Sequence, residues 1–159
     1  MTHEEYMDIC IDLARVAAKN GDVPVGAIIV KDNKIIAKGY NQKEKKGCAI
    51  LHAEMVAIKK ASKKLHNWHL DGCDIYVTLE PCSMCFSAIC QSRIRDIYYG
   101  ATDDKKEEIG TNIDLDSNKL YTHMVGIHKG IREDECATVL KKFFKELRQG
   151  KNEFKCRKR

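Results

Sequence analysis

Long apolar runs are missing from this sequence. The longest, Val23 to Val30, has eight residues and contains Pro24 and Gly26, far short of the ~20 a helix needs to cross a bilayer, so no membrane partnership is expected. Proline is scarce, with two in 159 residues, and neither a Pro/Ser-rich linker nor an internal repeat divides the chain. At ~100 to 200 residues per domain this length allows one core. The amino terminus, MTHEEYMDIC, carries acids where a signal peptide has a basic flank and then an apolar stretch, so export by that route is not expected. Hydrophobic residues at 43% and charged residues at 32% are ordinary proportions, which excludes wholesale disorder and a fibrous repeat.

Cysteine, by contrast, is plentiful: 10, 48, 73, 82, 85, 90, 136 and 156. Without an export signal this even count does not read as a disulfide framework, and it points to a reducing, cytoplasmic setting. Charge is modest overall, +5, but uneven. From Lys141 onward nine basic residues face Glu146 and Glu153, a balance of +7, while 19 basic and 21 acidic residues before that point leave −2. The plain reading is a solvated helix face with a frayed tail; the functional one is a polyanionic partner.

Local patterns place the elements. Thr2 with Glu5 forms a capping box before a helical stripe of Met7, Cys10, Ile11, Ala14, Ala17 and Ala18, which ends near Gly21. Val25 to Val30 and Ile35 to Gly39, joined by Lys31-Asp32-Asn33-Lys34, read as an antiparallel hairpin, followed by a lysine-rich loop from Gln42 to Gly47. A second helix starts from His52, a strand covers Asp74 to Thr78, and a third helix begins near Pro81, since proline suits the first helical position. Arg95 to Gly100 and Met124 to His128 are the remaining strands, and Cys136, Leu140, Phe143, Phe144 and Leu147 mark a last helix from Glu133 to Arg148. Phe143 and Phe144 are adjacent, so one of them is free to face a partner. Strands alternating with helices predict an α/β fold, a three-layer α/β/α sandwich on a mixed five-stranded sheet. The domain covers 1–149 and residues 150–159 form a basic tail.

Chemistry concentrates in His52-Ala53-Glu54 and Glu80-Pro81-Cys82-Ser83-Met84-Cys85. Two cysteines three apart at a helix start face one way, and the positive helix end favours their thiolates. With one imidazole they make three zinc ligands. A structural site closes with a fourth protein ligand, for which Cys48, Cys73 and Cys90 are candidates, whereas a catalytic site leaves the fourth position to water. Glu54 adds a carboxylate able to take a proton from that water, which favours catalysis. Residues two apart on a regular helix diverge, so His52 and Glu54 converge only if His52 sits at the irregular start of the first turn. His66, His69 and His128 have no partner pattern and read as surface or satisfied histidines, as Cys10 and Cys136 read as packing residues.

The pairing of HAEMVAI (52–58) with YVTLEPCSMC (76–85) resembles the zinc-dependent cytidine deaminase superfamily. More narrowly, VPVGA (23–27), GYN (39–41), SRI (92–94) with YYGA (98–101), GI (130–131) with DEC (134–136), and FFKELR (143–148) resemble the bacterial tRNA-specific adenosine deaminases, the TadA family, over essentially the whole chain. The resemblance implies a cytidine deaminase-like fold and conversion of adenosine to inosine at the wobble position of a tRNA anticodon stem-loop by a homodimer. It implies one Zn2+ per chain on His52, Cys82 and Cys85, with Glu54 as proton shuttle, Asn41 hydrogen-bonded to the flipped base, and the VPVG loop, Val25 above all, as a pocket wall. Tyr121-Thr122-His123 stands where the family has an Asn-His pair, and Lys105 to Gly110 is more acidic and less glycine-rich than the family loop. A deaminase of a free base or nucleoside and a non-catalytic zinc-stabilised RNA-binding module are the alternative readings.

Overall fold

The computed structural model describes residues 1–103 and 125–150. Lys105 to Gly110, Tyr121 to Met124 and residues 151–159 of the basic tail lie outside the described residues.

Helix α1 (His3–Lys19) starts at the expected capping box: Thr2 Oγ1 accepts from the Glu5 backbone N–H at 3.1 Å, and the Glu5 carboxylate accepts from the Thr2 backbone N–H at 2.7 Å. Strands β1 (Gly26–Lys31) and β2 (Lys34–Tyr40) form the hairpin. Asp32 and Asn33 both take left-handed φ, 49° and 61°, the conformation a two-residue turn needs to match strand twist. The lysine-rich loop holds a short helix instead, α2 (Lys43–Lys46), closed by Gly47 in the left-handed region. Next come α3 (Ala53–Leu65), β3 (Cys73–Leu79), α4 (Ser83–Gln91), β4 (Asp96–Ala101), β5 (Gly126–His128) and α5 (Glu133–Arg148). Helix α4 starts two residues later than the proline rule predicts. Cys82 is its N-cap with extended backbone, φ −70° and ψ 172°, so Pro81 precedes the helix and does not open it.

The sheet order is β2-β1-β3-β4-β5, with β1 antiparallel to both neighbours and β3, β4 and β5 parallel. This is the mixed five-stranded sheet. Alternation along β1 divides the interior into two layers. Ile29 joins Ala53, Ala57, Ile75, Val77, Phe86 and Ile89 beneath α3 and α4. Ile28 and Val30 join Met7, Cys10, Ile11, Tyr76 and Cys136 beneath α1 and α5. The α/β/α sandwich is therefore as expected.

Two motif glycines permit close approach. A Cβ on Gly26 would strike the Cys10 carbonyl of α1, and one on Gly39 the Ala53 carbonyl of α3. Gly39 thus lets α3, which carries Glu54, lie directly on β2. Among the described residues no helix is long and apolar enough to cross a membrane.

Candidate functional site

Two helix starts meet at one end of the sheet. His52 is the N-cap of α3 with φ −68° and ψ 154°, an extended conformation outside the helical turn, and this is what lets its ring and the Glu54 side chain share a site. Cys82, also an extended N-cap, and Cys85, in the first turn of α4, come up from the end of β3. His52 Nδ1 lies 3.6 Å from Cys82 Sγ and 3.5 Å from Cys85 Sγ. The three donor atoms fall within 4.8 Å of one another, and they are the sole such cluster among the described residues.

These distances suit zinc. Bonds of about 2.0 to 2.1 Å to nitrogen and about 2.3 Å to sulfur at a tetrahedral angle set the two donors about 3.6 Å apart. Cys48, Cys73 and Cys90 lie outside the cluster, so the described residues supply three ligands and not four. Glu54 is 4% exposed and its Oε2 accepts from Cys85 Sγ at 3.4 Å.

The protons are distributed unequally. The Cys82 thiol is pushed down to about 3 by its hydrogen bond with Cys85 and then by that with His52, against the effect of burial. Cys85 is pushed far up, first by the same hydrogen bond and then by burial. His52 is raised chiefly by its bond to Cys82, and Glu54 is raised chiefly by burial. A thiol pushed down beside an imidazole and a carboxylate that are both raised forms a set that a divalent cation would organise.

The remaining expected residues frame the site. Asn41, 6% exposed, accepts at Oδ1 from the Ala53 N–H at 2.9 Å and donates from Nδ2 to the Val23 carbonyl at 2.9 Å. It ties the VPV loop to the first residue of α3. Val25 is buried in the layer beneath α3 and α4, and its carbonyl accepts from the Asn41 N–H at 3.1 Å. Val23, and not Val25, lines a cavity of about 410 Å³ at this end of the fold, together with Leu79, Thr102, Leu140, Phe144 and Arg148. Phe143 is buried in the domain, so Phe144 is the ring of the pair that reaches the cavity.

Asp22 was not foreseen. It is 1% exposed, and its carboxylate accepts from the backbone N–H groups of Glu44 at 2.8 Å and Lys45 at 3.3 Å, holding α2 against the loop that leads to Val23. An acid just after a helix-ending glycine carries no signal that distinguishes it from a solvated loop residue. The unpatterned histidines sit elsewhere: His69 Nδ1 is 3.6 Å from Asp71, and His128 Nε2 is 3.0 Å from Asp96 and stacks on Tyr98. His123 lies outside the described residues.

Comparison with known proteins agrees with this geometry. Residues 1–101 match the family described as the cytidine and deoxycytidylate deaminase zinc-binding region. The tRNA-specific adenosine deaminase of Bacillus subtilis is 41% identical over 152 residues, 95% of this chain and 94% of the relative. A solved chain from work on A-to-I editing by tRNA:A34 deaminases at the wobble position of transfer RNA is 36% identical, covers 86% of this chain and 99% of its own, and superposes with a TM-score of 0.80. Guanine deaminase from Bacillus subtilis is 28% identical, covering 100% and 99% of the two chains, with a TM-score of 0.64.

Proposed function

The chain belongs to the zinc-binding cytidine and deoxycytidylate deaminase family and, within it, to the tRNA-specific adenosine deaminases, and from that premise we propose that it hydrolyses adenosine to inosine at the wobble position of a tRNA anticodon. The observation that carries the reading is a buried carboxylate, Glu54, placed 3.4 Å from a thiol of a three-donor set. His52, Cys82 and Cys85 hold one zinc ion, whose chemistry is to make water acidic enough to act as a nucleophile near neutral pH. Glu54 takes the proton from the attacking water and delivers it to the adenine ring nitrogen. It then carries the remaining proton of that water, now on the added hydroxyl, to the exocyclic amine as that group leaves as ammonia, so water and adenosine become inosine and ammonia. Burial raises the proton affinity of Glu54, which suits a group that must both accept and donate. Asn41, with its backbone bonds made, has one amide N–H and one oxygen lone pair left for the flipped base. Val25 backs the pocket wall from the core, and residues 150–159 add basic charge for the RNA backbone.

The reading carries a cytoplasmic location, where tRNA is, and a homodimer, both resting on the relatives. Light scattering at micromolar concentration should give twice the chain mass; a strictly monomeric mass with full activity on tRNA would remove the dimer. The likeness to guanine deaminase supports a second reading, action on a free purine. Inosine formation in an anticodon stem-loop, measured beside free adenine, guanine, cytosine and their nucleosides, separates the two. Turnover of a free base without turnover of the stem-loop would sink the tRNA reading.

A further inference from the structure

Between Lys31 and Lys64 the chain has ten lysines, no arginine, and three acids, Asp32, Glu44 and Glu54. This stretch of 34 residues supplies +7 of a total of +5, so all the remaining residues together are net negative. The fold puts seven of these lysines on α2 and α3, whereas Lys38 of β2 pairs with Ile28 and so lies on the α1 and α5 side of the sheet. Helix α3 packs on edge strand β2, and Lys60 Nζ donates to the Lys38 carbonyl at 3.0 Å across that junction. Lys34 and Lys38 on β2, Lys45 and Lys46 on α2, and Lys59, Lys60, Lys63 and Lys64 on α3 are exposed, with Lys31 and Lys43 half-buried, whereas Glu54 is buried inside.

Three of the five described arginines are paired with an aspartate: Arg15 with Asp12 at 2.9 Å, Arg95 with Asp74 at 2.8 Å and Arg132 with Asp8 at 3.2 Å. None of the ten lysines has an ion-pair partner among the described residues. Lysine on an edge strand blocks strand addition, which accounts for Lys34 and Lys38 but not for the groups on α2 and α3. Helix α2 adjoins the site: the N–H of Gln42, the residue before α2, donates to the carbonyl of Leu51, the residue before His52. The lysines of α3 lie on its last two turns, Lys59 to Lys64, about 10 to 18 Å along the helix from His52 at 1.5 Å per residue.

We propose that the lysines of α2 and α3 bind the phosphate backbone of the RNA flanking the target nucleotide. This rests on the tRNA reading above and adds the surface that holds the rest of the substrate. Flexible point charges without bidentate geometry suit phosphates, which position an RNA and carry no sequence.

The test uses the full chain with Lys59, Lys60, Lys63 and Lys64 all changed to Gln, a residue that keeps helix propensity, beside the same four positions changed to Arg. Binding to a whole tRNA is followed by fluorescence anisotropy across a salt series. The Gln variant should bind more weakly, and its log-log salt slope should flatten by roughly 0.7 to 0.9 for each lysine that sits on a phosphate. Zinc content and turnover at saturating tRNA should stay as in the parent chain, and the Arg variant should restore affinity and slope. Deleting residues 150–159 should add its own loss to that of the Gln variant. Unchanged Kd and slope in the Gln variant would overturn the proposal, as would lysine-dependent binding to phosphatidylserine vesicles with tRNA affinity untouched. Inosine formation by the parent chain is scored separately. If it fails while lysine-dependent tRNA binding persists, the activity is wrong and the surface stands; if it succeeds while the variant binds normally, the surface is wrong and the activity stands.

Discussion

Both sides of the sheet hold cysteines, and one of them, Cys82, behaves in the opposite way to the buried pair Cys10 and Cys136. Cys10 and Cys136 lie in the layer beneath α1 and α5, and burial pushes both thiols up, Cys136 to about 12. On the other side Cys82 is pushed down to about 3 by hydrogen bonds from Cys85 and His52. Residue type is shared, and the partial burial of Cys82 raises its pKa instead of lowering it, so neither explains the fall. Position does. Cys10 and Cys136 sit within helices whose backbone groups are already paired. Cys82 sits at a helix start, where unpaired N–H groups favour negative charge and a second helix start brings an imidazole within 3.6 Å.

The strongest test of that contrast is to remove one thiol from each side. Cys82→Ala should lose zinc by elemental analysis and abolish deamination, and removal of zinc should lower thermal stability because metal binding is coupled to folding. Cys136→Ala should keep zinc and activity at a stability cost of about 1 to 2 kcal/mol by denaturant titration. Full metal and activity in Cys82→Ala would end the distinction. Next in size is Glu54→Gln, which should retain zinc and RNA binding while turnover falls by roughly 10² to 10⁴. Burial raises the pKa of Glu54, so ionising it in the fold subtracts stability above its unfolded value of about 4.3. After chelation at neutral pH, Glu54→Gln should therefore melt no lower than the parent chain.

Alkylation after chelation sharpens the comparison along the pH axis. The thiolate of Cys82 is already formed well below neutrality, so its labelling rate should be nearly flat from about pH 5 to pH 8. Cys90, raised to about 11 by burial, and Cys136 should instead gain about tenfold per pH unit and react slowly throughout. Mass mapping of labelled peptides reads both. The smallest effect is expected at Asp22→Ala. This change strands the N–H groups of Glu44 and Lys45 and should cost about 1 to 3 kcal/mol. Because Asp22 holds α2 against the loop that leads to Val23 and touches none of the reacting groups, KM should rise while kcat holds. A fall in kcat with KM unchanged would place it closer to the chemistry.

Much of the frame was legible from local signals, each of which acts over a few residues. The Thr2–Glu5 capping box, the Asp32-Asn33 turn and the stripe that bounds α5 at Glu133 and Arg148 all appear as read. The short α2 was not legible. Four residues rich in lysine have no helical periodicity to display, and α2 exists because Asp22, more than twenty positions earlier, satisfies its first N–H groups. Helix α4 was misplaced by two residues for a related reason: Cys82 must stay extended to turn its sulfur toward His52, a demand from a residue thirty positions away.

By itself, the sequence determined which side chains could bind zinc and shuttle a proton, because HxE and PCxxC carry the ligand and carboxylate types within a few residues. It also determined an α/β class, through the alternation of periods 2 and 3.6. The tertiary structure alone decided which of eight cysteines meet a histidine, that Asn41 and Asp22 spend their polar atoms on backbone, and that α2, with three of the lysines, is held beside the start of α3. Those outcomes depend on how β1 registers between β2 and β3 and on how closely α3 lies on Gly39. Hydrogen bonding and the local field fall off within a few ångströms, so the chemistry of each group is set by neighbours that the chain brings near only when folded.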